Sequence, residues 1–453
     1  MCARRINFTF GIGILGLPHA VAKSGLLMSA IVVPIIGALS LMTMLWMPEV
    51  AARAEGVIGE KSLTPWFRVT YRKFEVNQLC RIFLGGFYQR LYELVMVISL
   101  YGALWSFASV AVSSMAANVP LPGITGGQCD YYSSQWIQAC ETSFLIWGGI
   151  FAVIVIFLSC LDFMEQTTFQ VTMTFVRFIA FGLMMASAII AIYTSPGKAG
   201  TPGPPYYAGT KLFDVDHMYA ILATATFACV THHSAPGLMQ PLQDKMQVRK
   251  VFTSSFVTTT LAYVSFGITT YLYFGDSVKP LSTLNWSRYP GYQLGAAVPV
   301  WAMSIAGFIV VFPVLDILSV YPLCSITLAN SMCEGMPLRW HDTLKKKKFK
   351  VVFRLLASVP AIVGLYFVRN LSTILTYTGL VNVVIAFVTP ALLQRSSKKF
   401  VVQRYGPEFG TTPYSSFASK DAFVWIALAG AFLITALIIT GLINAHQAGE
   451  ILK

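Results

Sequence analysis

Residues 11–18 read Gly11-Ile12-Gly13-Ile14-Leu15-Gly16-Leu17-Pro18. The stretch sits inside an apolar run from about Ile6 to Val21, yet glycine and proline are the poorest formers of a helix interior. Its spacing also fits G-x-G-x-x-G, the glycine pattern of a dinucleotide-binding turn. That pattern works between a strand and a helix of a βαβ unit. No strand precedes Gly11 and no such unit surrounds it. The dinucleotide reading is therefore rejected, and what remains is an apolar helix with a weak place in it.

Outward from this stretch, apolar runs recur to the far end of the chain. A helix of roughly 20 apolar residues crosses the hydrocarbon core of a bilayer. Eleven such spans are expected, near Ile6–Val21, Leu26–Met47, Leu91–Ala117, Phe144–Cys160, Thr172–Tyr193, Met218–Leu238, Phe252–Phe274, Ala296–Leu328, Val351–Phe367, Leu371–Leu393 and Ala422–Ile443. The eighth is longer than one crossing needs, so it tilts or projects into water. Composition agrees: 56% of residues are hydrophobic and 11% charged, against about 25% charged in a soluble domain. The expectation is one all-α, multi-pass membrane domain over residues 1–453, with the lipid bilayer as its partner and no soluble domain or tail. Neither a cleavable signal peptide nor a lipidation or retrieval motif is evident. The run before Asn7 is shorter than the two or more turns that the inner half of a broken first helix needs, so the N-terminus looks clipped or its inner gate shortened.

Lys and Arg in the loops set the orientation. Arg53, Lys61, Arg68, Arg72, Lys73, Arg81 and Arg90 follow the second span; Lys245, Arg249 and Lys250 the sixth; Arg339, Lys345 to Lys348 and Lys350 the eighth; Arg395, Lys398, Lys399, Arg404 and Lys420 the tenth. The opposite loops carry only Lys23, Lys198, Lys211, Lys279, Arg288 and Arg369. The asymmetry places the N-terminus in the cytoplasm and the C-terminus outside, in the plasma membrane or a lysosomal or vacuolar endomembrane. It also accounts for the net charge of +13 as a topology signal that suits anionic lipid. Nucleic-acid binding is disfavoured, because no basic patch lies on a folded domain. Cys129 and Cys140 fall in one outside loop, where a disulfide is permitted, and Asn285-Trp286-Ser287 is a glycosylation sequon in another. Cys2, Cys80, Cys160, Cys229, Cys324 and Cys333 show no metal-ligand spacing. They read as small apolar fillers or free thiols.

The sixth span holds a second weak place, Thr231-His232-His233-Ser234-Ala235-Pro236-Gly237, followed by Pro241. Polar groups within a span are costly and face a cavity or the bundle interior. If spans one to five form one repeat (about 1–195) and six to ten another (about 214–395), each break lies in the first helix of its repeat, with an extra helix at about 420–443. Paired interruptions of this kind point to a transporter binding site. Unwound turns free backbone N–H and C=O groups that lipid cannot satisfy. Half-helix N-termini suit a carboxylate and half-helix C-termini an ammonium or metal cation, so a zwitterion fits both. The bland alternative is that Gly and Pro merely bend packed helices.

These residues also carry a resemblance. Asn7 to Pro18, NFTFGIGILGLP, resembles the first-helix signature of the amino acid/auxin permease family, and Thr231 to Lys245, THHSAPGLMQPLQDK, looks like its sixth-helix break. The order and rough lengths of the spans match along nearly the whole chain. Within the family, CLDFMEQTTFQ, FVRFIAFGLM and VFPVLDILSVYPL are similar to a little-characterised branch of eukaryotic transmembrane proteins. The resemblance implies a LeuT-type fold of two inverted five-helix repeats plus one helix. It implies secondary active transport of amino acids, a symport driven by sodium or protons, with no other cofactor.

Carried over residue by residue, Gly11, Ile12, Gly13, Ile14 and Leu15 would bind the substrate carboxylate through backbone amides, with Thr231, His232, His233 and Ser234 opposite. Asn7, Asp316 and Ser319 would serve the coupling sodium or proton; no other metal site is expected. Relatives place hydroxyl residues where this chain has Asp316, with Ser319 and Ser325 beyond. The alternative for Asp316 is an internal pair with Arg177. Histidine titrates near neutrality and could relay protons; the alternative is a neutral imidazole bonded to freed backbone. Tyr101, Thr376, Tyr377 and Thr378 could line the cavity or form interhelical hydrogen bonds. No catalytic constellation is present, so an enzyme is not expected. A non-transporting sensor or scaffold with the same fold is the other reading.

Overall fold

The computed structural model describes residues 11–59, 67–70, 72, 74–123, 129, 138–160, 167–194, 210–287, 289, 298–334 and 347–449. Asn7 and Cys2 lie outside the described residues, as do Lys345 and Lys346. Among the described residues the chain is helical and without strands. The helices are α1 Gly13–Ser24, α2 Leu26–Ile58, α3 Val76–Leu84, α4 Gly86–Asn118, α5 Gln138–Cys160, α6 Thr167–Thr194 and α7 Met218–Cys229. They continue with α8 Ala235–Met239, α9 Val248–Phe274, α10 Val300–Glu334, α11 Lys347–Gly364, α12 Leu371–Val383, α13 Thr389–Tyr405 and α14 Asp421–Gln447. Among the described residues, eight helical segments are long and apolar enough to cross a membrane. The other three expected spans are the two with breaks, α1 and α7–α8, and the shorter α11, whose first residues are lysines. Large apolar side chains such as Ile35, Phe157 and Phe432 stand 58%, 62% and 78% exposed on the outer faces, as a lipid-facing surface requires.

Helix ends follow from the sequence. Gly25 turns the chain from α1 into α2 at φ 94°, a region that disfavours a Cβ. A Cβ there would also stand 2.7 Å from the Leu212 carbonyl carbon. The same corner is stitched to the segment leading into α7: the N–H groups of Leu26 and Leu27 donate to the carbonyls of Lys211 and Leu212, and Asp214 N–H donates to Ser24 O. The outer ends of α1 and α7 are thereby held together. α12 passes into α13 through a single π turn, Val384–Val388, with Pro390 just beyond it. The helix α3 lies in the basic loop after the second span, where the sequence predicts no element; Glu75 and Gln78 cap it reciprocally.

Small residues bring the inner helices close. A Cβ on Gly379 of α12 would lie 2.1 Å from Ala223 O of α7, and one on Gly102 of α4 would lie 2.2 Å from Thr378 Oγ1. A Cβ on Gly16 of α1 would meet Leu375 of α12 at 2.3 Å. α1, α7 and α12 therefore form the middle of the bundle, and most of their side chains are buried.

Candidate functional site

The start of α1 is unusual. Residues 12–18 are buried although Gly11 is exposed, and the first turn tightens through Ile14 N–H to Gly11 O (3.4 Å) and Leu15 N–H to Ile12 O (2.9 Å). Ile12 offers no side-chain cap. The initial N–H groups of a helix have no carbonyl of their own helix to reach. Gly13 packs on the last turn of α7: a Cβ there would stand 2.9 Å from Ala228 Cα and 3.0 Å from the Phe227 ring. The N-terminus of α1 thus abuts the C-terminus of α7, and the glycine-rich stretch meets the break after Cys229. A positive and a negative helix-dipole end lie side by side.

After Cys229 the backbone leaves the helix at Val230 (φ −80°, ψ 110°) and makes one 3-10 turn, His232–Ser234, before α8 begins. Tyr263 of α9 donates its hydroxyl proton to the freed carbonyl of Ala228 (3.1 Å). The two histidines part company. His232 is 1% exposed and pinned to α2, its Nε2 lying 2.9 Å from Thr43 Oγ1 and 3.1 Å from Ser40 O. Thr43 donates its own proton to backbone carbonyls of α2, so its oxygen accepts from Nε2–H. Nδ1 of His232 is then a bare acceptor, buried without a hydrogen-bond partner, as is Thr231 Oγ1. His233 and Ser234 are half-buried.

The expected cation residues are placed differently. Arg177 of α6 donates to both carboxylate oxygens of Asp316, at 2.6 and 2.7 Å. Ser319 donates to the Asp316 carbonyl (2.7 Å). Tyr101 donates to Leu356 O, and Thr376 and Thr378 donate to their own helix. Tyr377 is 49% exposed on the outer surface. Asn285 uses both ends of its amide, accepting from Lys279 N–H and donating to Ser277 O. Cys129 and Cys140 are joined, with their Cα atoms 5.6 Å apart. Before the head of α7, Asp214 is held below the ordinary carboxylate range: partial burial pushes it up, and the His217 imidazole and the Lys211 ammonium draw it further down.

A second buried polar cluster was not visible in the sequence. Glu49 accepts from Arg53 (3.0 Å), Gln394 (3.0 Å), Ser415 (2.9 Å) and Ser419. Arg53 also donates to Gln394 Oε1, Ser397 and the Gly410 carbonyl. Glu49 and Arg53 are 0% and 1% exposed. Their i, i+4 spacing on α2 was the one available signal.

Residues 3–401 match the model of a family described as transmembrane amino acid transporter protein. The chain belongs to this family. It is a family of transporters and not of enzymes, and membership makes the chain a multi-pass integral membrane protein. Its curated relatives include the transmembrane protein 104 homologue of Dictyostelium discoideum, 22% identical over 93% of this chain and 92% of the relative. The Drosophila melanogaster homologue is 22% identical over 93% of both chains. Transmembrane protein 104 of Mus musculus is 22% identical over 93% of this chain and 91% of the relative. The match agrees with the resemblance to a little-characterised eukaryotic branch.

Proposed function

We propose that this family member is a secondary active transporter of amino acids, a symporter driven by sodium or protons, that binds its substrate where α1 and α7 meet. The observation that carries the reading is the approach of Gly13 to Ala228. It sets amide donors beside carbonyl acceptors, which is the polarity an α-amino acid needs. Gly11 to Leu15 would take the carboxylate; the freed carbonyls after Ala228, with Thr231 and half-buried His233 and Ser234, would take the ammonium. Two inverted five-helix repeats of LeuT type (about 1–195 and 214–395) and a last helix would make eleven crossings from a cytoplasmic N-terminus. Asn7, Asp316 and Ser319 would serve coupling, with Asp316 acting through the Arg177 pair and not as an open cation ligand.

The test is uptake of a panel of labelled amino acids by proteoliposomes, with and without imposed sodium and pH gradients. Gradient-driven uptake is expected, and Gly13→Val should abolish it by forcing α1 from Ala228. Uptake unaffected by Gly13→Val would place the substrate elsewhere. A second reading, a non-transporting sensor, draws on the closed Arg177–Asp316 pair, which leaves no free carboxylate oxygen there. Saturable binding without uptake under any gradient would select it.

A further inference from the structure

Just beyond the second break, the chain makes a 3-10 turn, Lys245–Gln247, and enters α9. Met246, Arg249, Lys250, Thr253, Ser254 and Val257 line a shallow, open surface groove of about 630 Å³ along one face of this helix and the turn before it. Its chemistry is graded along the helix. Arg249 and Lys250 are exposed at one end; the hydroxyls of Thr253 and Ser254 come a turn later; Val257 and then Leu261 follow, 49% and 63% exposed. The nearby carboxylate of Asp244 caps the preceding turn, accepting from the Met246 N–H through one oxygen. Lys245 faces the other way, donating to the carbonyls of Met239 (3.1 Å) and Gln240 (2.6 Å) at the end of α8.

We propose that this groove is a binding site for an anionic phospholipid. Arg249 and Lys250 hold the headgroup phosphate, Thr253 and Ser254 meet the ester level, and the acyl chain lies along Val257 and Leu261. Basic pockets at the membrane surface select anionic headgroups in this way. A soluble anion would use the cations but has no use for the apolar stripe beneath them, so the lipid is the occupant the whole gradient fits. The bound headgroup sits within one turn of Lys245, the residue that ties off the broken helix. The lipid therefore braces the connection from the second break into α9.

The inference does not rest on transport, and its test reads binding alone. The purified full-length protein in neutral detergent is titrated with fluorescent phosphatidylserine, with phosphatidylcholine and inorganic phosphate as competitors. Arg249→Gln with Lys250→Gln should weaken binding roughly thirty-fold, from about fivefold per lost cation. Arg81→Gln with Lys399→Gln, which removes the same charge elsewhere, should not. Val257→Asn keeps both cations and should still weaken binding, whereas a site for a free anion would ignore it. All these side chains are surface ones, so melting without added lipid should stay put. Equal weakening by the two double variants, no weakening by the first, or displacement by inorganic phosphate as readily as by unlabelled phosphatidylserine would overturn the proposal.

Discussion

Asp316 shows what one residue's partner decides. A carboxylate inside a membrane helix is costly alone, and pairing with a guanidinium, here through Arg177 Nη2 to both carboxylate oxygens, offsets part of the loss of water. Removing one member strands the other. Asp316→Asn should therefore destabilise the protein by about 3–5 kcal/mol in detergent unfolding. Replacing both, Arg177→Met with Asp316→Leu, should recover most of that loss. If the double variant is as unstable as the single one, the pair does not act as a unit. A double variant that also transports with an unchanged response to sodium and pH would remove the pair from coupling. At His232 the sequence showed an ionisable group in a break. It could not show Thr43 and Ser40, which sit on another helix at positions with no motif.

At the scale of elements, α12 touches α7 through a glycine where any side chain would strike a carbonyl. Gly379→Ala should cost about 1–3 kcal/mol as an overpacked contact, seen as a lowered melting temperature and a separation of α12 from α7. An unchanged melting temperature would mean that the helices part without penalty. The spans were legible because hydrocarbon thickness sets a length and an apolar content that any single sequence displays. The second weak place was legible too, since paired His, Pro and Gly depart from that pattern; of the first, the described part from Gly13 through Pro18 is continuous helix. The span limits shifted by several residues: α2 runs on to Ile58 and α13 to Tyr405, past the points where apolar residues give out. Helices outlast the membrane that selects their middles. α3 was missed because nine residues in a charged loop carry too short an amphipathic stripe, although Glu75, Gln78 and Gly85 marked both its ends. That the two stretches approach one another was expected from their corresponding places in the chain; the particular packing of Gly13 on Ala228 was not, for spacing alone does not fix which residues touch.

For the whole molecule, the basic loops predict sidedness. Single cysteines placed at Lys250 and Lys399 should be labelled by an impermeant thiol reagent only after the membrane is opened from the cytoplasmic side. One at Lys279 should react from the opposite side. Labelling of Lys250 and Lys279 variants from the same side would break the proposed topology. The large apolar side chains on the outer faces fit a lipid environment all round.

The buried cluster around Glu49 has a mechanical meaning. It fastens the stretch before α14 to both α2 and α13, and the fastening is reinforced by Trp46 Nε1 donating to Ala418 O and by Lys398 meeting Asp421 at 2.8 Å. Arg395 lies over the Trp425 ring at 4.5 Å on the same seam. These contacts join α2, α13 and α14 along one seam, so under the proposed transport cycle the three helices are expected to move as one unit. In that proposed cycle α14 would share whatever displacement α2 and α13 undergo, so a hinge between them is not expected on this seam.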